Sequence, residues 1–442
     1  MRRLAALIAL VAFVALPAGA AASWSSPARL GRTIPGRCIT SPSVLADCFG
    51  SPETSAAVNA HGKSLVAWTY LQDYSAHIVS GDSRGRFGRE QRFAPALRLV
   101  LALRDDGSAV AVWRGNHGLM FALRGSSRGR FGAPRVLTPP ASKEGDDEPQ
   151  LALRPDGSVV VFYDSPFRSP SNEYVERLRA LVISRAGHPS APVTLGSGFP
   201  VAFATSADGG AVACCVQPPF DPSRPALPTQ LAVLRGGQDA WGTVGVRLRE
   251  RDAIESVGLR GDQVAVGTVA VANSGDAGTL GTPGVVRGAL TGGFGDVALG
   301  QVVQPGRAFG PLAAVDAAGN SVLVFQEKRA PSDFQRHAPL YGQVGPAAGP
   351  LGRPRVTLDS REAQEPQAAP IGDGVLVAWD SAGRWGAALE RDGRFQRLSS
   401  PLGGPDPTHD ANTNRALATG GRFALLAWEA LDGRMHASIR RL

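Results

Sequence analysis

Short apolar runs alternate with polar turns along this chain in a pattern that returns about every fifty residues. The stretch Asp105-Asp106-Gly107-Ser108-Ala109-Val110-Ala111-Val112-Trp113 shows it most clearly. One apolar run leads into a Gly-containing turn, and the next apolar run closes on an aromatic residue. Aligned on that second run, the repeats fall at 65–68, 110–113, 160–163, 212–215, 264–267, 322–325, 375–379 and 425–428. Runs this short, bounded by Gly, Asp and Pro, predict strands. The preceding turns, such as His61-Gly62, Asp106-Gly107, Asp156-Gly157, Asp208-Gly209 and Gly319-Asn320, supply the positive φ that a tight hairpin demands. Their Asp residues are therefore read as turn residues, ahead of any catalytic or calcium-binding role. Within one run Ala109, Ala111 and Trp113 face one way, Val110 and Val112 the other. Both faces are apolar, as in a sheet covered on both sides by its neighbours. The closing aromatics are core residues on this reading, with a ligand platform as the alternative.

Each repeat continues with a third strand, for example 76–81 or 119–124, and a fourth segment. The fourth is placed at Arg86-Phe87-Gly88, 130–137, Trp241-Gly242, Phe294-Gly295, 351–354 and Arg394-Phe395. Pro and Arg there suit an outer edge strand. The Arg128-Gly129-Arg130-Phe131-Gly132 segment could stack on nucleic acid, but it falls where an outer hairpin belongs. The prediction is an all-β protein with a single β-propeller of eight four-stranded blades, seven being the alternative. The eighth repeat stops at Leu442 without its fourth segment. Residues 23–30 carry that pattern alone, ahead of the first repeat. Pairing them with 435–440 would close the last blade with the N-terminal strand and leave no open edge.

Composition adds place and partner. Gly (54 residues) and Pro (34) suit many tight turns. Arg2-Arg3, an apolar run over 4–16 and Pro17-Ala18-Gly19-Ala20-Ala21-Ala22 read as a signal peptide over 1–22, cleaved after Ala20 or Ala22. The expected localisation is secreted or cell envelope by Sec export, with the propeller domain over 23–442 and no membrane insertion. In that compartment Cys38 and Cys48 are expected to form a disulfide inside a loop over 31–54. Cys214 and Cys215 read as small core residues, a vicinal disulfide being the alternative. The net charge of +8 is carried almost wholly by Arg, since Lys occurs only at 63, 143 and 328. Spread over repeat positions, it reads as a solvated surface rather than a nucleic-acid patch.

The Gly-turn plus Val-Ala-Trp repeat and the Phe-Gly outer segment resemble secreted bacterial β-propeller repeat proteins, loosely including sialidase-like propellers. Sialidases carry Ser-x-Asp-x-Gly-x-x-Trp boxes and three clustered Arg. Here Asp106-Gly107 lies six residues before Trp113, and no Arg can be matched to that triad. The resemblance therefore implies a fold and no site. The predicted site follows from topology. First-to-second turns are short and regular, whereas the opposite face gathers polar stretches at 69–77, 143–148, 164–177, 249–255, 326–337, 359–365 and 405–410. The residues straight after the second runs would rim the central opening, with Arg114, Asp164, Gln326, Asp380 and Glu429 as candidate ligand-binding residues. No nucleophile elbow, zinc motif or phosphate loop is present, so the catalytic residues are left unassigned and no cofactor or metal is expected. His117, His337 and His409 lie on the polar side. The expected function is a monomeric binding or interaction module for a glycan, wall polymer or protein. The alternative is a glycoside hydrolase or lyase using carboxylates around the opening, Asp164 with Asp380 or Glu429.

Overall fold

A computed structural model describes residues 23–31, 53–70, 74–116, 118–126, 129–138, 147–168, 174–197, 202–206, 208–216, 229–235, 241–249, 252–275, 278–303, 307–328, 338–347, 349–352, 354–381, 383–401, 415–430 and 434–442. The signal segment, Cys38 and Cys48, and His117, His337 and His409 lie outside them. The described secondary structure is antiparallel strand throughout, arranged as a β-propeller.

The first blade runs outward through Glu53–Val58, Ser64–Tyr70, Ser75–Gly81 and Gln91–Phe93. The second uses Leu97–Leu103, Ala109–Gly115, Gly118–Arg124 and Arg135–Val136. The third and fourth start at Asp147–Leu153 and Ala202–Thr205, and the fifth at Asp252–Arg260. A single long strand, Val356–Ile371, pairs at its start with the sixth blade's Ala338–Gly345 and at its end with the seventh blade's Gly374–Ser381. It thus serves as outer strand of one blade and inner strand of the next. All eight apolar runs seen in the sequence are second strands, from Ser64–Tyr70 to Phe423–Glu429. Cys214 and Cys215 lie within one of them, Ala211–Val216.

Alternation along the second strands builds the core. Leu65 and Ala67 pack with Leu101, Ala109, Ala111 and Trp113 between the first two blades. Val66 and Trp68 point the other way, against Leu425, Ala427 and Ile439 of the last blade. The same division repeats round the ring, each apolar cluster lying between consecutive sheets. The hydrophobic core is therefore a set of inter-blade layers, and no blade buries its apolar surface alone. The fifth blade has Gly267 where six others have an aromatic. A Cβ there would sit 2.3 Å from Ser256 Oγ, and that hydroxyl instead bridges to the sixth blade through Pro311 O (2.7 Å) and Ala313 N (2.9 Å).

Closure occurs as the sequence predicts. Ala28–Leu30 pairs with Met435–Arg441 in the register Ala28↔Ala437, Arg29↔His436 and Leu30↔Met435. Ser25 N–H donates to Ile439 O (2.8 Å), and Trp24 and Leu30 are buried.

Phe-Gly, as Phe87-Gly88 and Phe294-Gly295, marks the hairpin before the fourth strand in the first and fifth blades. Phe87 bridges Gly81 and Phe294 bridges Gly288, while the strands themselves are Gln91–Phe93 and Ala298–Leu299. Each ring lies over a glycine where an added Cβ would come within 2.7 Å of it, so the motif is a packing device and the ladder starts after it. Several polar stretches expected as loops are also strand. Asp359 to Glu365 lies inside Val356–Ile371, and the second and third strands of the third blade extend as Val159–Arg168 and Tyr174–Ile183. Backbone pairing continues there beneath polar side chains, because ladder hydrogen bonds do not depend on side-chain type.

Candidate functional site

The ends of the second strands and the starts of the innermost strands share one face, and a recurring irregularity there sets the site. In five blades the innermost strand has two residues opposite one, at the same register: Arg98 and Leu99 opposite Trp113, Glu148 and Pro149 opposite Tyr163, Glu255 and Ser256 opposite Gly267, Gly310 and Pro311 opposite Phe325, and Glu365 and Pro366 opposite Trp379. These are β-bulges, which re-aim a side chain and are common beside functional sites. Three of them hold a residue in the left-handed region: Arg98 at φ 49°, Gly310 at 56° and Glu365 at 41°. For Arg and Glu this conformation is costly, of the order of 1 kcal/mol or more, so the fold holds charged residues where glycine would be the easy choice.

The bulges put charges at the inner mouth of the ring. Arg98 Nε reaches Glu53 Oε1 of the first blade at 3.4 Å. Glu365 Oε2 lies 3.6 Å from Arg415 of the last blade, and the same guanidinium lies 3.6 Å from Asp380 Oδ2. Arg415 and Asp380 have side chains only 1% exposed, whereas Glu365 remains 22% exposed. The arrangement is a buried pair carrying an accessible carboxylate. Burial pulls the Arg415 guanidinium below its ordinary range, against the raising influence of Glu365 and Asp380. Glu255, at the fifth blade's bulge, is half-buried, and desolvation pushes its carboxyl above the usual range. Asp359 has the opposite balance. Burial would raise it, but the Arg361 N–H (2.9 Å), the Ser381 hydroxyl, the Trp379 indole (2.8 Å) and the charge of Arg397 hold it below the usual carboxylate range.

The residues expected to rim the opening do lie at this level, but mostly inside the wall. Asp164, Gln326, Asp380 and Glu429 are buried, and Arg114 is partly exposed. Gln326 donates to Ala363 O (2.6 Å), and Asp380 accepts from Gly383 N–H (2.8 Å). The bulge residues stand beside them and were missed, although a signal was present. Glu148-Pro149-Gln150, Gly310-Pro311 and Glu365-Pro366-Gln367 repeat a Pro at one place in an innermost strand, and Pro inside a sheet favours a bulge.

A second constellation has catalytic spacing without access. Ser75 Oγ lies 3.0 Å from His77 Nε2, and His77 Nδ1 lies 2.6 Å from Glu90 Oε1, with Trp68 stacked on the imidazole at 5.4 Å. This is the order of a nucleophile-activating relay, yet Ser75 is fully buried. It ties the third strand of the first blade to the turn that leads into the fourth.

No family model matches the chain, and no curated protein matches it. Its fold does have solved counterparts. It is similar to the structure of the Dos1 propeller, with a TM-score of 0.51 and 10% identity over 95% of each chain. Weaker likenesses include an α-L-arabinofuranosidase, arb93a, of Fusarium graminearum (TM-score 0.40, 11% identity, 78% of this chain and 93% of that one). The Aleuria aurantia lectin is another (0.38, 12%, 69% and 98%). The likeness to the Dos1 propeller supports a β-propeller and, at 10% identity, says nothing about chemistry.

Proposed function

We propose that the protein is an exported, monomeric binding module that holds a glycan or wall polymer at the mouth of the propeller. The observation that carries this reading is the bulge series, which sets Arg98 beside Glu53, Glu365 beside Arg415, and Glu255 on the same face. Neighbouring carboxylates and guanidinium groups accept from and donate to adjacent hydroxyls, which is the hydrogen-bonding pattern of a sugar ring. Arg114 joins this accessible set. Asp164, Gln326, Asp380 and Glu429 support it from within the wall. Export through residues 1–22 and a Cys38–Cys48 bridge belong to the same proposal.

The test is a glycan array, together with sedimentation on isolated cell-wall polysaccharide, using the chain that begins at Ser23. Saturable retention of at least one polymer or glycan class, weakened by Glu365→Gln, is expected. Binding of none, or binding indifferent to Glu365→Gln, would defeat the proposal. One observation favours a second reading, a glycoside hydrolase. Glu255, half-buried at the fifth blade's bulge with its carboxyl raised by desolvation, is a group that can act as a general acid. Release of reducing ends from the retained polymer, abolished by Glu255→Gln, would favour hydrolysis over binding.

A further inference from the structure

On the opposite face, where the first-to-second hairpins lie, a cavity of about 310 Å³ opens between the first and second blades. Lys63 and Ser64 line it from the first hairpin and Ser80, Gly81, Asp82 and Arg86 from the outer part of the first blade, with Arg124 contributed by the second. Three of these side chains are cationic and one is anionic. That one, Asp82, is already committed to Arg86, 2.6 Å away. The carboxylates nearest the second hairpin are committed as well: Asp106 holds Arg185 at 2.8 Å, and Asp105 accepts from Ala60 N–H at 3.0 Å. Lys63 is one of only three lysines in the chain. Its ammonium rests at the second hairpin, 3.4 Å from Asp106 O, where a Cβ on Gly107 would come within 2.7 Å of it. Gly107 therefore leaves the room that Lys63 occupies. Ser64 is 1% exposed, lines the same cavity, and its hydroxyl has no hydrogen-bond partner among the described residues. A buried hydroxyl without a partner is costly and points to a group the cavity receives.

We propose that this cavity binds a phosphate-type oxyanion, free or as a phosphate ester. Two cations from two blades, Lys63 and Arg124, beside the Arg86–Asp82 pair and a hydroxyl donor, suit a group with three or more acceptor oxygens, whereas a planar carboxylate would be met by one guanidinium fork. Burial lowers the pKa of Arg124, so a bound anion would offset part of its desolvation. The site is separate from the mouth and independent of what binds there.

The experiment is isothermal titration of the chain beginning at Ser23 with inorganic phosphate and, separately, glycerol 3-phosphate, at fixed ionic strength against chloride. Saturable binding of either is expected, with both Lys63→Met and Arg124→Gln weakening it at least tenfold and Ser64→Ala less. Preference for the ester would identify a polymer or metabolite ester as the source, and equal binding the free ion. Lys63→Met changes a hairpin residue and should melt like the parent, so its loss of binding is not a folding effect. No heat beyond that of chloride, or unchanged affinity in the folded Lys63→Met variant, would overturn the proposal.

Discussion

On the hairpin face Asp106 accepts the Ser108 N–H (2.7 Å), Asp156 the Ser158 N–H (2.8 Å) and Asp316 the Asn320 N–H (2.8 Å), each inside its own turn. Asp106 adds an exposed pair with Arg185 of the third blade (2.8 Å), whereas on the mouth face the pairs of Glu365 and Asp380 with Arg415 of the next blade are partly or wholly buried, and Glu53 reaches Arg98. The hairpin carboxylates do a repeated local job, as the Asp-Gly pattern implies. Blade-to-blade hydrogen bonds on that face end largely on backbone carbonyls, as in Asn59 Nδ2 to Arg104 O (2.9 Å), Ala317 N to Asp373 O (3.0 Å) and Gly372 N to Gly421 O (3.0 Å). The mouth departs from the repeat, with a charge of either sign or none at one register. Regularity marks the scaffold, and its breakdown at one register marks the face proposed to bind.

The largest effect should come from opening the ring. A chain that starts at Gly31 lacks Trp24, Leu30 and the partner of Met435–Arg441. Losing two buried side chains costs about 2–5 kcal/mol each, and the exposed edge invites association. Calorimetry should show a fall in Tm of about 10 °C or more, with aggregation on light scattering. A chain from Gly31 that melts like one from Ser23 would separate closure from stability.

Next come the two kinds of arginine. Arg415→Ala leaves the buried Asp380 carboxylate without its arginine and should cost about 3–5 kcal/mol in denaturant unfolding. Arg98→Ala breaks a more exposed pair with Glu53 and should cost about 0–1 kcal/mol. Similar losses for the two would erase the distinction between wall and lining.

Smaller effects sharpen it by pH. Because Asp359 is held below its unfolded pKa, its stabilisation is present above the ordinary aspartate range and is lost as pH falls through the folded value. Asp359→Asn should therefore lose stability at neutral pH and flatten the acid limb below about pH 4. Glu255 is raised, so the native state favours its protonated form. That contribution is present below the unfolded pKa and is lost as pH rises through the folded one. Glu255→Gln should leave Tm unchanged in acid and raise it slightly above the carboxyl's titration. Parallel Tm profiles for parent and Glu255→Gln would show that the carboxyl is not desolvated. Asp106→Ala removes one turn bond and an exposed pair with Arg185, and should cost only about 1–2 kcal/mol.

The scaffold was legible because its determinants are local. Apolar alternation and Gly turns located every second strand, and the orphan segment around Trp24 found its partner across the whole chain. The bulges were harder to read. A bulge is a register relation between two strands, and only Glu148-Pro149, Gly310-Pro311 and Glu365-Pro366 leave a trace of it in one strand's sequence. The polar residues after the second strands were placed at the right level, but their burial depends on neighbouring blades. Asp380 is enclosed because Arg415, distant in sequence, packs beside it.

The central claim is that the mouth binds through its bulge residues. Its most direct test is equilibrium binding of the polymer or glycan retained by the parent to the triple variant Arg98→Gln, Glu255→Gln, Glu365→Gln, with thermal unfolding measured on the same samples. The predicted result is at least a tenfold loss of affinity with Tm kept within a few degrees of the parent. Full affinity in the folded triple variant would contradict the account.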